Sequence, residues 1–283
     1  QIDAYPRLTE FAAWRPQHTW KEWWAGDRHY CEADEPGAYG GYYTKEQLRD
    51  LVQYAHERHI EIIPEIEMPG HSEEVLAAYP ELGCSGEPYS GSDFCVGNED
   101  VFAFLEAVLT EVLEVFPSEY IHIGGDEVPG GAWIDSPSCQ KVMKERGWDN
   151  IELLKSYYIE NVLNIAEARG VKISGWQELV MDLEDHVYER LKKNLYSVNF
   201  WHTVSGQEEY PYAYANDGVP AILSNMTNTY VDFAYTPDKT ERGLSWGGFV
   251  DERRSFSLLP YDIYRSVRWD DNGRMREIAG LPE

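Results

Sequence analysis

Tyr120-Ile121-His122-Ile123-Gly124-Gly125-Asp126-Glu127-Val128 is the stretch on which the reading of this chain turns. The short apolar alternation over Tyr120, Ile121 and Ile123 has no helical period and predicts a buried strand. Two glycines follow, where the backbone can turn sharply or admit a close neighbour. Two adjacent carboxylates come next. Asp and Gly are ordinary turn residues, so these nine residues alone also describe a solvated turn. A strand that ends in Gly-Gly and presents an acid pair is nevertheless a poor core element. It is a good mount for acidic groups at the mouth of an α/β fold.

The flanking sequence repeats that arrangement. Thr44 is placed to cap a helix over about residues 45–58, with Leu48, Leu51, Val52 and Ala55 on one stripe. Ile60 to Ile66 reads as a strand that empties into Glu67-Met68-Pro69-Gly70-His71. A helix over residues 100–115, closed by Pro117, leads into the central strand. A second helix over about residues 151–169 precedes Val171-Lys172-Ile173-Ser174, which ends in Gly175-Trp176-Gln177-Glu178. Leu195 to Phe200 ends in Trp201-His202, and Val219 to Asn225 leads towards Tyr230 and Asp232. Residues 1–43 are rich in aromatics but show little periodicity, which predicts a long loop.

Helices alternating with continuous apolar strands imply a parallel sheet covered on its faces. Each of the five strands is followed by polar or aromatic residues. In a closed barrel those ends share the face that carries the active site, whereas a doubly wound sheet would gather them at one switch point. The expected fold is α/β, of the (β/α)8 TIM-barrel type, and incomplete, since five strands are legible where eight are needed. With no linker and no repeat, residues 1–283 read as a single, partial barrel domain.

Composition narrows the partners. Lys plus Arg number 24 against 50 Asp plus Glu, a formal charge of −26 that repels phosphate backbones and anionic lipid. Neither nucleic acid nor membrane is expected as a partner. The 10 Trp and 20 Tyr supply flat apolar rings with polar edges, which suit sugar faces as well as cores. No run of eighteen apolar residues exists, so no membrane-spanning helix is expected. The chain opens at Gln1 without an initiator Met, so a missing leader carries no information. Cys31, Cys84, Cys95 and Cys139 follow no metal-binding spacing such as C-x₂-C. Cys84 and Cys95 flank a Gly/Ser/Pro loop and are either a disulfide pair or free thiols. His71, His122 and His202 with their nearby acids match no metal signature either, so neither metal nor cofactor is expected.

Carboxylates and tryptophans at one mouth suggest glycoside hydrolysis. The ordinary retaining and inverting schemes need two carboxylates about 5–5.5 Å or about 6.5–9.5 Å apart, straddling the scissile bond. Sequence neighbours on one strand end are badly placed for that. They fit better where the substrate supplies its own nucleophile, one acid steering it and the other moving the proton.

At this point the residues resemble a known family. Ile121-His122-Ile123-Gly124-Gly125-Asp126-Glu127 is similar to the signature of the family 20 glycoside hydrolases, the β-N-acetylhexosaminidases. Pro64-Glu65-Ile66-Glu67-Met68-Pro69-Gly70-His71 resembles a second block, and Gly175-Trp176-Gln177-Glu178, Tyr230-Val231-Asp232 and Gly243-Leu244-Ser245-Trp246-Gly247-Gly248 resemble three more, all in the family order. The resemblance implies that Glu127 is the general acid and then the general base. It implies that Asp126 orients and polarises the 2-acetamido group whose carbonyl oxygen attacks the anomeric carbon, giving an oxazolinium ion. Tyr230 would donate to that oxygen. Trp176, Trp201 and Trp246 would wall the pocket, Asp232 would bind a sugar hydroxyl, and His71 would support Glu127.

The remaining residues carry plainer readings. Trp133, Trp148 and Trp269 take no role, and His122 reads as a satisfied strand histidine. Glu67 stands where the family usually has Asp and is left out of the expected site. The resemblance covers nearly all of this chain but only the middle of the family's catalytic domain. Two barrel strands with a sugar-gripping Arg would precede it, and a last strand bearing Trp-x-Glu would follow. The expected substrate is an N-acetylhexosamine-terminated glycan or glycoconjugate, and the expected location is periplasmic, secreted or cell-surface. A disaccharide-releasing relative, lacto-N-biosidase-like, and a non-catalytic sugar-binding remnant of the same barrel are the competing expectations.

Overall fold

The computed structural model describes residues 1–204 and 206–263, so Trp269 lies outside the described residues. The described residues form two compact units: one holds residues 1–174 and 180–194, the other 175–179 with 195–204 and 206–263.

In the first unit the helices follow the apolar stripes. Thr44 and Gln47 form a reciprocal capping box that starts Lys45–His56. Asn98 caps Glu99–Val115, whose Val101, Phe104, Leu105, Val108, Leu109 and Val112 are buried at helical spacing. Leu153–Ala168 buries Leu154, Tyr158, Ile159, Val162 and Leu163. Residues 1–43, expected as loop, contain a small antiparallel pair, β1 (Trp14–Arg15) and β2 (Tyr39–Gly40), with short helices Arg7–Glu10 and Trp20–Ala25. Aromatic contacts hold that segment. Trp20, for example, lies 5.0 Å from Trp23 and 5.3 Å from Trp24 between ring centroids.

The central strand β3 (Tyr120–His122) pairs in parallel with β4 (Lys172–Trp176), with Ile121 opposite Ile173 and His122 opposite Ser174. The chain between them forms helices Pro137–Arg146 and Leu153–Ala168, so β3 and β4 are joined by helical crossovers as parallel strands require. Ile121, Ile123 and Ile173 are fully buried. On the other side of β3 the segment expected as a strand over residues 60–66 pairs only around Glu65, which bridges His122 in parallel. Its bonds run from His122 N–H to Pro64 O at 3.1 Å and from Ile66 N–H to His122 O at 2.9 Å. Pro64 has no N–H to extend the ladder, which accounts for so short a pairing.

In the second unit β5 (Leu195–Phe200) and β6 (Ala221–Leu223) are parallel, with Phe200 opposite Leu223, and helix Tyr210–Asn216 lies between them in sequence. Its core gathers Trp201, Val204, Met226, Phe233, Val250 and Ile263. Among the described residues no helix is long and apolar enough to cross a membrane.

Candidate active site

The end of β3 builds the acidic corner of the first unit. Ile123 N–H donates to Ser174 O at 2.9 Å, fixing the chain up to that point. Gly124 and Gly125 then take φ of +64° and +95°, and Glu127 itself sits at +50°. A left-handed conformation costs a residue with a Cβ roughly 1–2 kcal/mol, so Glu127 is aimed at a cost the surrounding contacts must offset. A Cβ on Gly124 would run into the carboxyl of Glu67. Only glycine lets that acid approach the turn.

Glu67 is the residue the sequence undervalued. Its Oε1 accepts the Gly125 N–H at 3.1 Å, and its carboxyl lies beside that of Asp126. Burial first, then the hydrogen bond and charge of Asp126, raise its pKa from 4.5 to about 9. With both acids ionised, the buried Oδ1 of Asp126 has no donor. A proton held on Glu67 removes that conflict, because Glu67 can then donate to Asp126.

His71 joins the two neighbouring acids. It also sits at positive φ, +48°, just after Gly70. Its Nε2 lies 3.5 Å from Asp126 Oδ2 and 3.3 Å from Glu127 Oε2. The side chain of Asp126 is 18% exposed and that of Glu127 56%, so the first is sheltered and the second faces outward. One donor atom from each of His71, Asp126 and Glu127 lies within 4.8 Å of the others, close enough to share a proton or to surround a cation. His122 lies in β3 and is buried, its Nδ1 accepts the Gly124 N–H at 3.2 Å, and burial lowers its pKa. Asp93 adds a further buried acid in this unit, raised by burial and held by the Ser92 hydroxyl at 3.0 Å. Nothing in its loop sequence announced it.

The second unit carries the expected aromatic residues. Trp246 packs edge-on against Trp201 at 6.2 Å, Tyr230 at 5.9 Å and Phe233 at 4.8 Å between ring centroids. Trp176 and Tyr230 are partly buried against the same cluster, while Trp246 remains about half exposed at 47%. Such edge-to-face pairs add roughly 0.5–1.5 kcal/mol each beyond area burial. Gln177 organises the strand end beneath them. Its Oε1 accepts the N–H groups of Trp201 and His202 at 3.0 and 2.9 Å, and Glu178 accepts Trp201 Nε1 at 3.1 Å. Gln177 and Glu178 belong to the Gly-Trp-Gln-Glu block, in which the resemblance implies a role for Trp176 alone. Asp232 is exposed, and its backbone carbonyl accepts the Leu244 N–H at 2.9 Å.

The structure therefore brings His71, Asp126 and Glu127 together in one unit, and Trp176, Trp201, Tyr230 and Trp246 around one cluster in the other. Residues 1–281 match the glycosyl hydrolase family 20 catalytic domain. The chain belongs to that family. Its fold is accordingly α/β of the (β/α)8 TIM-barrel type, of which the chain carries part. Family 20 relatives include a β-hexosaminidase of Vibrio furnissii, 31% identical over 92% of this chain and 41% of its own length. Another, from Porphyromonas gingivalis, is 39% identical over 64% of this chain and 22% of its own. The exo-β-N-acetylglucosaminidase of Vibrio harveyi, solved in complex with N-acetylglucosamine, superposes with a TM-score of 0.76 at 27% identity, covering 92% of this chain and 39% of that one. This family 20 chain thus spans well under half the length of those relatives.

Proposed function

We propose that residues 1–283 form one piece of the catalytic domain of a β-N-acetylhexosaminidase, which removes terminal β-linked N-acetylglucosamine or N-acetylgalactosamine from glycans. The observation that carries the proposal is the acid pair at the end of β3: two neighbouring carboxyl groups that share His71, one sheltered and one open. A sheltered carboxylate kept charged by a protonated Glu67 is suited to hold the acetamido N–H of a substrate and to balance the positive charge that grows on that amide. Asp126 takes this role. Its open neighbour Glu127 gives its proton to the leaving oxygen as the bond from that oxygen to the anomeric carbon breaks and the amide carbonyl oxygen bonds to the carbon. In the second half Glu127, now a carboxylate, takes a proton from water. That water attacks the anomeric carbon, the oxazolinium ring opens, and the β configuration is restored.

Tyr230 is assigned as the donor to the attacking carbonyl oxygen, Trp176, Trp201 and Trp246 as pocket walls, and Asp232 as a ligand for a sugar hydroxyl. His71 is assigned to hold both acids in place. Supporting these roles are the agreement of five sequence blocks with the family order and the names of the relatives. Export to the periplasm, cell surface or medium belongs to the same proposal.

The test is release of nitrophenol from its β-N-acetylglucosaminide by the protein that contains this chain. Asp126→Asn should lower kcat/KM by about 10²–10³-fold, the scale of one lost transition-state contact in a sheltered site. An active parent whose Asp126→Asn variant keeps its full rate would overturn the assignment. An inactive parent that still binds N-acetylglucosamine would favour the sugar-binding remnant instead.

A further inference from the structure

Three of the four cysteines converge: Cys84 and Cys95, which flank one loop, are joined by Cys139 from 44 positions further along the chain. Cys84 and Cys95 are drawn together because the loop between them is closed at its base. Gly83 pairs antiparallel with Phe94, and Cys95 N–H donates to Leu82 O at 2.8 Å. Cys139 comes from the first turn of helix Pro137–Arg146, whose cap Ser136 accepts the Cys139 N–H. The Sγ atoms of Cys84, Cys95 and Cys139 all lie within 4.8 Å of one another, all three are free thiols, and Cys95 and Cys139 are fully buried. Cys31, the fourth, is buried but takes no part in the cluster.

The spacing of the sulfurs selects among the fates open to them. Cys95 Sγ lies 3.8 Å from Cys139 Sγ. A disulfide needs about 2.05 Å, and joining any two of three thiols leaves the third over. Thiolates around a tetrahedral zinc ion, at about 2.3 Å from the metal, stand about 3.8 Å apart. The cluster also has an oxygen for the remaining corner. Ser136 Oγ is 3.2 Å and Ser138 Oγ 3.3 Å from Cys95 Sγ. We infer that Cys84, Cys95 and Cys139 form a binding site for a thiophilic divalent cation of the zinc class, with the Ser136 hydroxyl or a water in the fourth position. Binding Zn²⁺ converts three thiols to three thiolates and releases three protons, with no oxidant required.

The position of the cluster gives such a site a structural purpose. Phe94 N–H donates to Pro69 O at 2.8 Å, Trp133 Nε1 donates to Phe94 O at 3.0 Å, and Ser72 N–H donates to Ser92 O at 2.9 Å. A cation held by these cysteines would clasp loop 84–95 to helix Pro137–Arg146, and that loop brackets the turn bearing His71. The three ligands come from two loop ends and a helix start, so no short-range cysteine motif appears in the sequence.

The experiment uses the full chain, purified without chelator from zinc-containing medium, and reads metal content, not turnover. About one zinc per chain should be retained, and chelation should lower the thermal midpoint. Replacing zinc with Co²⁺ should give a thiolate-to-cobalt charge-transfer band in the unmutated protein, which needs no variant to fold. Cys139→Ser and Cys95→Ser should retain less than about a tenth of the metal, and Cys31→Ser should retain all of it. Ser136→Cys should hold zinc at least about tenfold more tightly against a competing chelator by completing four thiolates. Thiol titration of the denatured, unreduced chain that finds two of the four thiols missing would overturn the inference in favour of a disulfide. Four free thiols with no cobalt band and no retained zinc would overturn it as well.

Discussion

The acidic corner of the first unit and the aromatic cluster of the second are held by different physics. In the corner, three residues within reach of one another rest on a backbone that turns through positive φ at His71, Gly124, Gly125 and Glu127. Burial and the neighbouring Asp126 raise the pKa of Glu67 there to about 9. In the cluster, Trp246 meets Trp201, Tyr230 and Phe233 edge to face, and the side chains of Gln177 and Glu178 tie the strand end at Trp201. Torsion and charge tolerate little, since moving one atom removes a whole interaction. Ring packing degrades by degrees, because each contact is small and its neighbours remain.

The sharpest way to break that contrast is Glu127→Gln. If Glu127 supplies the proton, activity on substrates with poor leaving groups should fall by about 10³-fold while good leaving groups lose far less. Equal losses on both would remove the proton-donor role and leave the corner as a binding surface. Gly124→Ala probes the backbone instead. It combines a φ of +64° with a clash against the Glu67 carboxyl, and should cost about 3 kcal/mol in a denaturant melt. A loss below about 1 kcal/mol would mean that Glu67 can retreat and that the corner is softer than its contacts imply.

How much of this was legible beforehand depended on whether the cause was local. Helices Lys45–His56, Glu99–Val115 and Leu153–Ala168 follow from apolar spacing and caps, and the structure places their ends within a few residues of expectation. His71, Asp126 and Glu127 lie in contiguous blocks, so sequence could name them together. The importance of Glu67 was not legible. It arises from the close approach of a glycine turn to a side chain 58 positions away, as in the Gly125 N–H bond. Asp93 and the approach of Cys139 to Cys84 and Cys95 are illegible for the same reason, since only the folded loop 84–95 gives them neighbours. The short pairing at Glu65 was missed because an apolar run says nothing of the donor that Pro64 lacks.

On the aromatic side, Trp246→Ala should raise KM about tenfold with a smaller change in kcat, since one ring of several is removed from the cluster. A fall of 10³-fold in kcat with KM unchanged would move Trp246 from wall to chemistry and erase the difference between the two regions.

The smallest effect is the most informative about charge. Glu67 has its pKa raised by burial and by Asp126, so the folded protein keeps a proton there that the unfolded chain releases above pH 4.5. Stability linked to this proton is therefore fully present below pH 4.5 and is lost as pH climbs towards about 9. Glu67→Gln copies the protonated acid: its amide can donate to Asp126 while its carbonyl oxygen accepts the Gly125 N–H. The variant should match the parent near pH 4.5 and exceed it by about 1 kcal/mol near pH 8, less than the full shift would give because solvent still screens the group. Thermal melts of both proteins across that range read the difference directly. A gap that stays constant with pH, or that favours the parent at pH 8, would mean that Glu67 is ionised in the folded state. Asp126 would then share the corner with a second negative charge, and its part in steering a developing cation would need a different source of control.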